Sequence, residues 1–445
     1  MADPRTDLMA EATRHASEQP VPTGGSARGP AGGSTAGPAG DLPARYPAHA
    51  GAARLYGDSI SHDVAGLYRR LRAEHGTVAP VLLEGDIPAW LVLGYREAHF
   101  VASRGDLYDR DSARWNAWDL VPPDWPLRPA LGKADSVSWV TGTEHARHSD
   151  AIHEVLAAVD PFELRHRCER IADELVDAFA DRGQAELMYS YAHVMPARAV
   201  AGMLGIPDED TSEMVQDLVT LFDHGADALA AHGRLMALVT RLITLRRDSP
   251  GFDAISRLIT HPAAFTDEEA LQDIFVLLAA GQQPTAYWIG NTLRLLLADA
   301  RFATTLAGGR RSVGQAMAEV LWEDPPIANF TGRWAVHTGQ LGGQRIQAGD
   351  MLVIGAAAAN ADPDVRPDPS AGSGGNQAHL TFGHGEHRCP FPAQELAEVI
   401  AQTSIEVLLD RLPDLTLAVP ADDLLWNQAI WVRGLTVLPV TFTPS

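Results

Sequence analysis

Residues 382–391 read Phe382-Gly383-His384-Gly385-Glu386-His387-Arg388-Cys389-Pro390-Phe391, and a helix-forming run, Ala393-Gln394-Glu395-Leu396-Ala397-Glu398-Val399-Ile400, follows. A cysteine reached through two glycines and two histidines and followed by such a run is a thiolate presented by a tight loop at a helix start. That position suits a metal. Glycines let backbone lie close against a flat ligand, and the N-terminal end of a helix favours an anionic sulfur. Two plainer readings compete with it. A free cysteine is most often a small buried hydrophobe, and His384, His387 and Cys389 would also serve as half of a zinc site.

Working outward, the chain has 445 residues and two cysteines, Cys168 and Cys389, fewer than a structural zinc site usually draws on. No disulfide framework is expected, and a reducing cytoplasm fits. The N-terminus has no basic stretch leading into an apolar core, so no signal peptide is expected, and the longest apolar runs, such as Leu352 to Ala359, are too short to cross a bilayer. A formal net charge of −22 excludes nucleic acid and anionic membrane as expected partners, because both would repel it. Residues 1–44 are rich in Ala, Gly, Pro, Ser and Thr and read as a disordered tail. Residues 45–445 read as one large, mainly helical domain with small β-sheets. Helical spacing is clear in 65–72, a hairpin is expected from 77–83 and 89–93, helices dominate 143–325, and strand character returns at 341–346 and 435–440.

The cysteine segment resembles the haem-binding loop of the cytochromes P450, whose pattern FxxGxxxC it matches at Phe382, Gly385 and Cys389, with Gly383 beside them. The resemblance covers essentially all of 45–445. It implies the P450 fold, haem b (iron protoporphyrin IX) as cofactor, and Cys389 as the ligand of the iron.

Leu271 to Leu297 is a long apolar stretch that contains Ala279-Ala280-Gly281-Gln282-Gln283-Pro284-Thr285. Glycine and proline inside a helix cost about 1 and 3 kcal/mol against alanine, and Pro284 frees the carbonyl of Ala280. An ordinary proline kink in a core helix would look the same. Beside the cysteine loop, the segment is similar to the oxygen-activating motif of the P450 family at Ala280 and Gly281. Gln283 stands where that motif has an acid, Pro284 where it has an alcohol, and Thr285 is displaced by one. The resemblance makes Ala280, Gly281, Gln283 and Thr285 the residues that organise oxygen, water or peroxide. An amide relays protons through water but does not donate as an acid does.

The resemblance also assigns His387, His145 and Arg333 to the haem propionates. Where the family carries an arginine one turn after the helix histidine, this chain has Ser149. The family's Glu-x-x-Arg pair reads Glu319-Val320-Leu321-Trp322, and no arginine stands at the expected place downstream, in 371–375. Both cationic members are therefore expected to be gone and the core rebuilt around Trp322, as in a small atypical bacterial subgroup. Pro390-Phe391 replaces the usual apolar residue and glycine after the cysteine. Ile327, Ala328, Phe330 and Ile430 match positions of the family's substrate-contacting loops. The expected function is a cytoplasmic monooxygenase acting on a small apolar organic molecule of secondary metabolism, with a ferredoxin and its reductase as electron source. Peroxide-driven oxidation and a haem-binding partner or sensor with little turnover are the alternatives.

Overall fold

In the computed structural model, residues 45–445 are described apart from 62, 133, 223–226, 300–301, 303–310 and 368–374, so the 1–44 segment lies outside the described residues. The strands are β1 (Ala53–Arg54), β2 (Val78–Leu83), β3 (Ile87–Val92), β4 (Tyr108–Asp109), β5 (Gln184–Glu186), β6 (Phe330–Ala335), β7 (Gly339–Leu341), β8 (Gln344–Ile346), β9 (Met351–Ile354), β10 (Thr416–Leu417) and β11 (Pro439–Thr441). The helices that position the site are α1 (Tyr95–Ser103), α2 (Gly142–Ala157), α3 (Pro161–Asp177), α4 (Val194–Leu204), α5 (Asp208–Phe222), α6 (Ala228–Asp248), α7 (Asp267–Ala298), α8 (Arg311–Glu323) and α9 (Phe391–Arg411).

The longest helix, α7, runs for 32 residues, and its start is fixed by a capping box in which Thr266 and Glu269 satisfy each other's backbone N–H groups. Asp267, Glu268 and Glu269 set negative charge against its positive end. α4, α6, α8 and α9 all pack on it, which is why the stretch is apolar on nearly every side. Pro284 lies inside the helix without ending it. Thr285 donates its hydroxyl to the Gly281 carbonyl at 2.8 Å, a bond that keeps the turn closed around the proline.

The main sheet has the order β1-β2-β3-β9-β6-β4. The hairpin expected from the sequence is β2–β3, antiparallel with Val78 opposite Val92. β4 pairs antiparallel with β6, placing Asp109 opposite Trp334, so the residues after β4 lie beside Arg333. β7 and β8 form a hairpin whose turn glycines, Gly342 and Gly343, have φ of 54° and 81°, a conformation β-branched residues resist. β10, β11 and β5 make a third sheet.

The core around α8 corrects one expectation. Glu319 is not without a cation, because the guanidinium of Arg366 bonds it and also meets Glu323 at 3.2 Å. The side chains of Arg366 and Glu319 are 10% and 5% exposed, so this is a buried pair. Trp322 fills the place of the absent arginine, donates its indole N–H to the Asn376 carbonyl at 2.8 Å and turns a face toward Arg366. The cation is kept and has moved to a different sequence position. The place where it was sought, 371–375, falls largely outside the described residues.

Candidate functional site

The cysteine loop hangs from α8. Thr381 and Asn360 both donate to the Leu321 carbonyl, at 2.6 and 2.9 Å, and Asn360 accepts from the backbone N–H of Leu380 at 2.8 Å. From that anchor the chain turns at Gly383 and Gly385, with φ of 75° and 74°. A Cβ on Gly385 would lie 2.3 Å from the Ala102 carbonyl of α1, so only glycine lets the loop sit this close. The Cys389 N–H then closes on the Phe382 carbonyl at 2.8 Å, and Gln394 of α9 holds the Cys389 carbonyl at 2.6 Å.

Burial pushes the Cys389 thiol up to about 12, so in the metal-free protein desolvation outweighs the helix end that favours the anion. A cation bonded to sulfur reverses that balance by deprotonating the thiol outright. No such cation comes from the protein side. Among the described residues, the one set of His, Cys, Asp and Glu donors close enough to share a metal is Glu144, His148 and Glu269, far in sequence from the cysteine and bridged by Arg147. His384 instead stacks on His99 with ring centroids 3.6 Å apart, which removes it from a zinc set with Cys389.

Cys389 faces a cavity of about 500 Å³. Its opposite wall is α7, where Ala280, Gly281, Pro284 and Thr285 all line it. Ala280 is exposed in the middle of an otherwise covered helix, because the cavity lies in front of it. Gln283 does not line the cavity. It is fully buried behind the wall, and neither atom of its amide has a protein partner among the described residues. The sequence placed Gln283 at the reacting face, but helical phase turns it away while Pro284 takes the facing position.

Of the residues matched to substrate-contacting loops, Ile327 and Phe330 line the cavity, whereas Ala328 and Ile430 are buried beside it. The Ala328 N–H is bonded to the Trp431 carbonyl and the Ile430 carbonyl accepts from Asn329, so these two fasten the loops together. An antiparallel bridge between Ile327 and Val432 has the same effect. Asn329, Thr331, Trp431 and Val432 provide the lining that sequence reading missed, together with apolar groups of α4, α5 and α7 such as Leu204, Phe222 and Phe275.

At one edge, four basic groups gather. His145 and His387 meet at 4.2 Å between ring centroids, and Arg333 and Arg110 lie beside them. Burial and the neighbouring guanidiniums push His387 far down and keep it neutral. Its Nδ1 faces the Val137 carbonyl at 3.2 Å, and its buried Nε2 has no hydrogen-bond partner among the described residues. Burial lowers Arg333 to about 10. A cavity between a thiol and an apolar helix, edged by buried cations and an unsatisfied imidazole nitrogen, has the donor set of a dianionic planar macrocycle bearing a metal.

No family model matches the chain. It is 30% identical over 396 residues to the cytochrome P450 monooxygenase PikC of Streptomyces venezuelae, covering 86% of this chain and 92% of that one. It is also 30% identical over 404 residues to the mycinamicin IV hydroxylase/epoxidase of Micromonospora griseorubida, at 87% and 98% coverage. The solved tirandamycin C-bound P450 monooxygenase TamI superposes with a TM-score of 0.78 at 26% identity, over 88% of this chain and 100% of that one.

Proposed function

We propose, from the premise that this chain belongs to the cytochrome P450 family and is a monooxygenase of it, that haem b sits between Cys389 and α7 and that a small, mostly apolar organic molecule is oxidised above it. The observation that carries this is the single cavity in which the cysteine loop and the Ala280–Pro284 wall face each other. Haem iron with a thiolate ligand supplies the activation of oxygen.

The chain's own residues do the rest. Cys389 would ligate the iron, Phe382 and Gly383 would shape the loop that presents it, and Arg333, His145 and His387 would hold the propionates. Ala280 and Gly281 leave room above the ring, and the Ala280 carbonyl, freed by Pro284, accepts a hydrogen bond from water there. The Thr285 hydroxyl donates to the Gly281 carbonyl, which orders this turn and leaves its oxygen lone pairs to accept from water. Gln283 holds water behind the wall. Ile327, Phe330, Phe222 and Trp431 give the substrate an apolar bed, the kind of lining that binds by water exclusion. Relatives named as a mycinamicin IV hydroxylase/epoxidase, a 6-deoxyerythronolide B hydroxylase and a polyketide biosynthesis cytochrome P450 support a secondary metabolite as substrate. The two free cysteines fit the cytoplasm.

The carbon monoxide complex of the reduced protein tests the assignment: a long-wavelength Soret band is expected, and haem-loaded protein without it rules out Cys389 as the ligand. Turnover with ferredoxin and its reductase, compared with turnover on hydrogen peroxide, then identifies the electron source. Ser149 and Pro284, which replace an arginine and an alcohol, are the reason to run the peroxide arm. Inertness in both arms with ligand-induced spectral shifts retained would move the chain to the sensor reading.

A further inference from the structure

The edge cluster carries more positive charge than the protein around it neutralises. Arg110 follows β4 and is 8% exposed. Its Nε donates to the Ser138 carbonyl at 2.7 Å, and its Nη1 donates to the Thr331 carbonyl, the Thr331 hydroxyl and the Gly332 carbonyl at 2.8, 3.0 and 3.2 Å. All four acceptors are neutral, and Nη2 takes part in none of these bonds. The guanidinium also lies over the Trp139 ring, 4.5 Å from its centroid.

No carboxylate of the described residues lies within ion-pair distance of Arg110 or Arg333. The two acids that act on Arg333, Asp109 and Glu386, have partners of their own: Asp109 meets Arg114 at 2.6 Å, and Glu386 meets His145 at 3.6 Å and the Gly142 N–H at 2.9 Å. Two buried like charges facing each other are a standing cost unless an anion joins them. Arg110 lines both the main cavity and the smaller one beside Arg333 and His387, so it borders the space where that anion would sit. Ser149 lines the same cavity from α2, one turn beyond His145, and is too short to reach across with a charge.

We propose that Arg110 is a haem-propionate clamp built into the β4–β6 edge of this chain, supplying the cation that Ser149 does not. It rests on the haem reading above. Because the same guanidinium holds Ser138 and Thr331, the propionate is also tied to the loop that covers the cavity and to β6.

The test uses the holoenzyme, as wild type, Arg110→Gln and Arg110→Lys, with haem transfer to apomyoglobin and the resonance-Raman bending mode of the propionates as readouts. Arg110→Gln should speed haem loss roughly tenfold or more and shift the propionate band, the consequence of losing a charge-assisted bond. Arg110→Lys should fall between the two, and it carries the test if the glutamine variant does not accumulate. Unchanged haem loss, or faster loss with an unmoved propionate band, would overturn the proposal, the latter because it is what a purely structural arginine gives. Absence of the thiolate Soret band in the wild type would instead remove the haem reading, so the two failures are distinguishable.

Discussion

Two buried clusters of charge in this molecule differ in one respect. Around α8, the cation of Arg366 is matched inside the protein by Glu319 and Glu323, and Trp322 closes the remaining space with an indole whose N–H is satisfied. At the cavity edge, Arg110 and Arg333 face each other and two neutral imidazoles, and among the described residues no carboxylate lies within ion-pair distance of either guanidinium, the nearby Glu386 meeting His145 instead. Both clusters pay the desolvation of a guanidinium, but among the described residues only the first recovers it through carboxylates. A balanced cluster is architecture, and an unbalanced one is a site awaiting an anion.

Removing the metal ligand should have the largest effect. Cys389→Ala is expected to abolish the long-wavelength Soret band, while Cys168→Ala leaves it intact, because Cys168 is fully buried in the core with its thiol pushed up to about 12. Next come the two clusters. Arg366→Gln removes one guanidinium from the buried Glu319 and should cost about 3–5 kcal/mol in urea unfolding, and Glu319→Gln on that background should restore part of it. Arg333→Gln should behave oppositely in haem-free protein, leaving stability unchanged or raised, because it relieves a repulsion. The same variant should lose haem faster. Equal destabilisation of the haem-free protein by Arg366→Gln and Arg333→Gln would mean that the two clusters do not differ in charge balance.

What the sequence disclosed, and what it hid, follows the same division. The cysteine loop was legible because its glycines, its cysteine and the following helix are adjacent in the chain, and so were the β2–β3 hairpin and the length of α7. Arg366 was not, because its contact with Glu319 spans 47 positions and follows no fixed spacing. Arg110 reaches the edge through β4–β6 pairing, a long-range register that no local pattern encodes. In the irregular loops at 327–331 and 430–432, the side of the chain that faces the cavity changes from residue to residue, so the loops were identifiable while Asn329 and Trp431 were not.

Acid should probe buried charge from another direction. His193 packs between Tyr189 and Tyr287 behind α7, and burial lowers it from 6.5 to about 4. With the folded value below the unfolded one, its contribution to stability is fully present above pH 6.5 and is lost as pH falls toward 4. Unfolding midpoints measured between those values should drop by the equivalent of roughly 2–3 kcal/mol on this account, and His193→Leu should flatten that part of the profile. An identical slope in the variant would assign the acid sensitivity elsewhere.

The smallest effect concerns the proximal side, where Cys389 presents a sulfur that the next residue cannot assist. Pro390, with φ of −59°, is the residue before the first turn of α9 and has no N–H to offer the sulfur. Proline is also well placed to begin a helix, so one residue serves both ends. With one donor fewer, the thiolate should push more electron density to the iron and hold the ferric form more firmly. Pro390→Leu returns an N–H to that position. The ferric/ferrous potential should then rise by a few tens of millivolts, the one-electron equivalent of a hydrogen bond of about 1 kcal/mol. A redox titration with an unchanged or lower potential, and the thiolate Soret band intact, would show that Pro390 acts on the helix start alone.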